Sequence, residues 1–113
     1  MTLDGALEVA VTDGRVACTF TVTNAGTEPV DLRFRSGQIA EVTVSGDGDV
    51  VWRWSDGRLF TQALKTISLD AGERLTHEAV WEGPKPGTYT ARAALQATDA
   101  TVVDVREFTV PAP

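Results

Sequence analysis

Hydrophobic and polar residues alternate along almost the whole chain. In the segment RVACTFTVT, Val16, Cys18, Phe20 and Val22 fall on one face, and three threonines fall on the other. Alternation with a period of two is typical of a strand with one buried and one exposed face. Similar short runs recur, separated by turn residues such as Asp13-Gly14,. No stretch shows the 3.6-residue periodicity of a helix together with its capping residues.

This pattern predicts about seven to nine strands with a turn after each. We therefore expect an all-β fold, an immunoglobulin-like antiparallel Greek-key β-sandwich. A chain of 113 residues fits one such domain, over residues 1–113, and 42% hydrophobic residues can fill its core,. Residues 111–113 are expected to form a frayed tail.

The last strand, within VVDVREFTV, contains one inconsistency. Val103 and Val105 share one phase of the alternation, whereas Phe108 and Val110 share the other. A β-bulge near Arg106-Glu107 would reconcile the two phases. The residues predicted to be mostly buried are Val9, Val16, Cys18, Phe20, Val22, Leu32, Val42, Trp52, Trp54, Leu69, Leu75, Trp81, Tyr89, Ala91, Leu95 and Val105.

The charge balance excludes some partners. The chain carries 16 acidic and 10 basic residues, a net charge of −6, and nucleic-acid binding needs a clustered basic surface instead. No apolar run approaches the ~20 residues that span a bilayer. The start, MTLDGALEV, lacks the basic and apolar regions of a signal peptide, so we expect a cytoplasmic protein without a membrane partner. An acidic surface poor in lysine is typical of salt-loving organisms, although a high-GC mesophile has a similar composition.

The candidates for chemistry are few. Cys18 is the only cysteine and lies in phase with core residues, which favours a buried thiol over a nucleophile,. His77 is the only histidine and alternates with apolar residues, so a half-buried strand residue is expected rather than a metal ligand,. The segment from Ser45 to Val51 resembles a calcium loop but lacks its closing glutamate, so a hairpin turn is predicted. We predict no catalytic, metal or cofactor site, and no enzyme activity.

The segment VVWRWSDGRLFTQAL, residues 50–64, departs from the alternation. Trp52 and Trp54 share a face and are expected in the core, although one of them exposed would be a binding anchor,. The residues after Gly57 neither alternate nor form a helix of full length. Phe60 is expected to pack inward and its neighbours to lie on the rim. The predicted protein-binding residues are Arg58, Leu59, Phe60 and Thr61.

These residues resemble a known family. The stretch Trp52-Arg53-Trp54-Ser55 with Gly57, Phe60 and Gln62, followed by LDAGERLTHEAVWEG and PGTYTARAAL, is similar to the intracellular proteinase inhibitor (BsuPI) family. Upstream, FTVTNAGTEPVDLRFRSGQIAEVTV resembles the first half of that family, so the resemblance covers nearly all of the chain. It implies a β-sandwich that inhibits an intracellular subtilisin-like serine protease, and it supplies no reactive-site residues.

A protein inhibitor of such a protease lays an extended segment into the cleft and adds main-chain hydrogen bonds like an extra strand. The segment SDGRLFTQAL is our first choice for this contact, and the proline-stiffened turn from Gly83 to Gly87 is the second. Two alternatives stay open. In one alternative, the segment SDGRLFTQAL is only a structural corner that packs Phe60 and forms hydrogen bonds through Gln62. In the other, the whole domain is a non-enzymatic immunoglobulin-like adaptor. In each case the expected partner is a protein, and no cofactor is expected.

Overall fold

The computed structural model describes residues 2–112, which form nine β-strands and no helix. The strands are β1 (Leu3–Thr12), β2 (Arg15–Asn24), β3 (Val30–Phe34), β4 (Ala40–Gly46), β5 (Asp49–Arg53), β6 (Lys65–Leu69), β7 (Arg74–Glu82), β8 (Gly87–Leu95) and β9 (Val103–Val110). All pairings between them are antiparallel, so the predicted all-β sandwich is confirmed. Met1 and Pro113, which belong to the predicted domain and its predicted tail, lie outside the described residues.

The strands form two main layers and a small third sheet. One layer has the order β1-β2-β7, the other has the order β5-β4-β8-β9, and β3 pairs with β6 separately. Burial alternates along β2 as the sequence pattern predicts, because every second side chain of a strand points to the same face,. The large side chains that are fully buried are those of Leu7, Val16, Cys18, Phe20, Val22, Asn24, Leu32, Phe34, Val42 and Val44.

Two hairpins have the tight turns that the sequence indicates. Thr12 pairs with Arg15 across Asp13-Gly14, and Gly14 has a φ of 75°. Between β4 and β5, Asp47 and Gly48 have φ values of 53° and 85°. Two successive positive φ values match the right-handed twist of the flanking strands, and aspartate followed by glycine tolerates them. The prediction of a hairpin rather than a calcium loop agrees with this geometry.

The predictions for β9 were wrong. Val105 is 45% exposed rather than buried, and no bulge interrupts the register at Arg106-Glu107, since β9 pairs with β8 continuously. The strand keeps the phase of Phe108 and Val110, which face the core. Asp104 shares that phase, and its Oδ2 accepts a hydrogen bond of 2.8 Å from the Leu7 N–H. This bond satisfies a backbone donor at the open edge of β1. With Asp104 turned toward β1, Val105 must face solvent. The register shift that does occur lies at Val44/Ser45, opposite β5.

Aromatic side chains cover the opposite side of the sandwich, where β5 and β7 are the edge strands. Trp52 stacks on Trp81 with the ring centroids 6.3 Å apart, and Tyr89 meets Trp81 edge to face at 5.1 Å. Because these rings lie at the margin of the two layers, they are only partly buried. The predicted core residues with this partial burial are Val9, Trp52, Trp54, Leu75, Trp81 and Tyr89. Apart from Val105, the other predicted core residues are buried.

Candidate functional site

The loop of residues 55–64 begins with a tight turn directly after β5. The Asp56 N–H donates to the Arg53 carbonyl and the Arg58 N–H donates to the Ser55 carbonyl, both at 3.1 Å. Gly57 has a φ of 76°, which a residue with a side chain rarely adopts,. From Arg58 to Gln62 the backbone is neither strand nor turn. The turn thus leads from β5 into an irregular segment.

A carboxylate on β4 holds the start of this loop. Oε1 of Glu41 accepts hydrogen bonds of 3.1 Å from the N–H groups of Ser55 and Val42, and Oε2 accepts one of 3.2 Å from Gln38 Nε2. The Trp54 N–H also donates to the Val42 carbonyl at 2.9 Å. Sequence reasoning missed Glu41, whose only local signal is its outward phase between the buried Ala40 and Val42.

Trp54 is the platform on which the loop packs. The Arg58 guanidinium carbon lies 4.4 Å from the centroid of the indole, and Arg58 Nε donates to the Trp54 carbonyl at 2.8 Å. Phe60 packs against the same indole at 5.7 Å between centroids, and His77 on β7 meets it edge to face at 4.3 Å. The residues on both sides of Leu59 are therefore held against one aromatic ring.

The four predicted binding residues differ in exposure. The Leu59 residue is 99% exposed, Arg58 and Thr61 are exposed, and Phe60 is half-buried. The Thr61 carbonyl accepts a hydrogen bond of 2.8 Å from the Gly37 N–H, which ties the loop to the β3–β4 connection. Gln62 Nε2 donates to the Phe60 carbonyl at 3.1 Å. Phe60 thus packs inward and its neighbours form the rim, as predicted, while their role in binding stays a prediction.

The single histidine and the single cysteine of the chain, His77 and Cys18, both have pKa values shifted by burial. Burial lowers the pKa of His77, with Glu41 opposing this shift and Arg58 adding to it. Its Nε2 is buried and has no hydrogen-bond partner among residues 2–112. Burial raises the pKa of Cys18 to about 11, so its reactive thiolate is scarce near neutral pH,. Among the same residues, no group of three His, Cys, Asp or Glu side chains could hold a metal ion.

The second predicted contact, the turn from Gly83 to Gly87, presents different chemistry. The Gly83 N–H donates to the Gly14 carbonyl at 2.8 Å, and the Tyr89 hydroxyl donates to the Lys85 carbonyl at 2.7 Å. The turn is therefore also anchored, but its exposed side chains are Lys85 and Pro86. The two most exposed large apolar residues of the described chain, Leu59 and Leu64, both belong to the 55–64 loop.

Solved structures similar to this chain share its fold at low sequence identity. A β-glucosidase from Kluyveromyces marxianus is 19% identical with a TM-score of 0.54, and the match covers 98% of this chain and 14% of the β-glucosidase. The CARDB domain of the PF1109 protein from Pyrococcus furiosus is 19% identical with a TM-score of 0.51, covering 97% of this chain and 86% of that domain. At these identities the likeness shows the fold alone.

Comparison with curated proteins finds no significant match. No helix among residues 2–112 is both long and apolar enough to cross a membrane. The family model described as BsuPI, intracellular proteinase inhibitor, matches residues 3–100. This match includes every strand from β1 to β8 and the whole 55–64 loop. Because it spans most of the 113 residues, the chain belongs to the BsuPI family of intracellular proteinase inhibitors.

Proposed function

We propose that the protein is a cytoplasmic inhibitor of a subtilisin-like serine protease and that residues 58–61 enter the protease cleft. Family membership supports inhibition of a proteinase. The observation that supports this loop as the contact is Leu59, which is 99% exposed between two residues packed on Trp54. An apolar side chain presented in this way suits an apolar specificity pocket.

The backbone of Leu59 is available for pairing with a protease. The Leu59 N–H and C=O form no hydrogen bond with any other described residue. An inhibitor segment that adds to the cleft as a strand needs such free groups. The loop on either side is held by Glu41, by Trp54 and by the bond from Gly37. This preorganisation lowers the entropy that binding would otherwise cost.

The side chain of Leu59 provides the apolar part of the interaction. Complete burial of an exposed leucine contributes about 1.5–3 kcal/mol. Replacing it by aspartate removes this contribution and also forces a charge into an apolar pocket. Since each 1.4 kcal/mol is a factor of ten in affinity, Leu59→Asp should weaken inhibition by about a hundredfold or more.

The experiment measures inhibition of a purified subtilisin-like protease by three variants. Leu59→Asp should leave the melting temperature within a degree or two of the parent, roughly the size of surface effects, and weaken inhibition strongly. Phe60→Ala should lower stability and inhibition together because it removes a ring from Trp54. Val105→Asp is the matched control, an equally apolar-to-acidic change at a residue 45% exposed on β9. Full inhibition by Leu59→Asp would show that this loop is not the contact, and Gly83–Gly87 would be tested next.

One observation favours the adaptor alternative. Val50 and Val51 on β5 and Val80 on β7 are 53%, 49% and 40% exposed, and both strands are sheet edges. An exposed apolar edge can pair with a strand of another protein. If no protease is inhibited, Val51→Lys and Val80→Lys test this edge through binding to a partner isolated with the protein. Loss of that binding would support the adaptor function. Unchanged binding would show that this edge is not an adaptor surface.

A further inference from the structure

A group of cations lies beside the 55–64 loop in a protein whose net charge is −6. Arg33 lies on β3 and Arg35 follows it at the start of the β3–β4 connection, and both residues are exposed. Lys65 begins β6 opposite Phe34, the last residue of β3. Leu64, which is 85% exposed, directly precedes it. These four residues, which we call the basic face, line one surface depression together with Thr66 and Thr98.

The cationic side chains of the basic face form no ion pair within the described chain. The two ion pairs found among residues 2–112 are Arg15–Glu82 and Arg106–Asp104, and both lie elsewhere. The residues that line the depression include no acidic side chain. Two neighbouring carboxylates accept hydrogen bonds from groups other than the three cationic side chains. Asp99 Oδ1 accepts from the Arg33 backbone N–H at 3.1 Å, and Asp31 Oδ1 accepts from Ser68 Oγ at 2.6 Å. Three exposed cations without an ion pair thus lie around the exposed Leu64.

We propose that the basic face is a second contact surface, which docks an acidic segment of the protease that the 55–64 loop inhibits. The inference rests on the proposed function because it takes the same protease as partner. Arginine binds carboxylates through two parallel hydrogen bonds, and Leu64 offers an apolar contact between them. A nucleic acid fits less well, since three cations on an acidic protein do not form an extended phosphate-binding surface.

Position and area both favour a joint contact. The bond between Gly37 and Thr61 joins the β3–β4 connection, which contains Arg35, to the inhibitory loop. A stable protein interface buries about 800 Å² on each partner. A loop with one protruding leucine covers only part of that area, so neighbouring surface must also contact the protease. Charges at the border of an interface mainly accelerate association and select the partner.

The first test compares two double variants with the same change in charge. Arg33→Glu with Arg35→Glu alters the basic face, and Arg74→Glu with Arg92→Glu is the control at exposed positions on β7 and β8. The first pair should slow association with a subtilisin-like protease about tenfold at low salt, with much less effect at about 0.5 M KCl. The control pair should change the rate less than about threefold. If both double variants slowed association equally, the change in net charge alone would explain the effect, and the proposal would be overturned.

A second test does not depend on inhibition. The ¹⁵N-labelled protein is titrated with a synthetic peptide of alternating glutamate–aspartate pairs and leucines, and with a lysine–leucine peptide of equal length. The acidic peptide should shift the amide resonances of residues 33–35 and 64–66, and the basic peptide should not. If the acidic peptide shifts these amides while the protein inhibits no protease, the proposed function fails and the acidic docking surface stands. Absence of these shifts, or equal shifts with both peptides, overturns the docking surface.

Discussion

Removal of the Trp54 indole should release the 55–64 loop while leaving the sandwich folded. Trp54 is half-buried, so Trp54→Ala loses less than the roughly 3–5 kcal/mol of a fully enclosed tryptophan,. It also loses the contacts with Phe60 and His77, about 0.5–1.5 kcal/mol each,. The Arg58 stack contributes about 0.5–1 kcal/mol more,. Because these contributions overlap with area burial, we expect a total loss of about 3 kcal/mol.

The assay combines thermal unfolding with limited proteolysis of the native protein. For a domain of this size, about 3 kcal/mol lowers the melting temperature by roughly 12 °C. Below that temperature Trp54→Ala should be cleaved within residues 55–64, because the loop has lost the ring that holds it. Trp54→Phe keeps a ring against Phe60 and His77 and should lose about half as much stability.

Trp52→Ala is the matched control for this loop. Trp52 is also half-buried on β5, but it stacks on Trp81 and makes no contact among the rings that hold the loop. The Trp52→Ala variant should therefore be less stable than the parent but show no new cleavage in residues 55–64. The reasoning would be refuted if Trp54→Ala lowered the melting temperature by less than about 2 °C. Identical cleavage patterns for the Trp54 and Trp52 variants would refute it as well.

Three further predictions concern stability. Gly5→Ala should lower the free energy of unfolding in urea by about 1–3 kcal/mol, because the new Cβ would lie 2.5 Å from Val102 Cγ1,. In the control Gly14→Ala the new Cβ meets no atom within 4 Å, so this variant tests backbone strain alone. A smaller loss of stability at Gly5 than at Gly14 would contradict the clash. The lowered pKa of His77 means that the unfolded chain binds its proton first, so stability should fall as the pH drops through about 6.5,. His77→Phe should show a shallower decline between about pH 7.5 and 5.5, and an equal decline would count against this cause. Added salt should raise the melting temperature, since it screens the repulsion of a −6 protein,. No rise up to about 1 M KCl would count against that repulsion and against a salt-loving source.

Local patterns predicted most of the fold. The alternation in β2 located its buried face because a strand has only two faces, and one of them must exclude water,. Asp13-Gly14 and Asp47-Gly48 predicted two hairpins because positive φ values are a property of the residues themselves,. The inward packing of Phe60 and the exposure of Leu59 also followed from the break in alternation.

The contacts between distant residues could not be predicted in this way. Glu41 accepts a hydrogen bond from Ser55, which lies 14 positions further along the sequence, and no residue near either one predicts this bond. Likewise, the Asp104–Leu7 bond spans 97 positions and lies on the inward phase of β9, which leaves Val105 exposed against the expected phase. Burial of Phe108 and Val110 together with this bond outweighed the burial of Val105, because one continuous strand can have only one phase,.

The sequence by itself determined the strand type, the tight turns, the central core and the family, because each depends on residue identity over short stretches or on the whole pattern at once. The tertiary structure alone decided which side chains meet. It brought Arg58, Phe60 and His77 onto Trp54 and placed Arg33, Arg35 and Lys65 beside the same loop. Such groupings arise from strand pairing between segments far apart in the chain, whose register is set by the sum of many weak contacts rather than by any local signal.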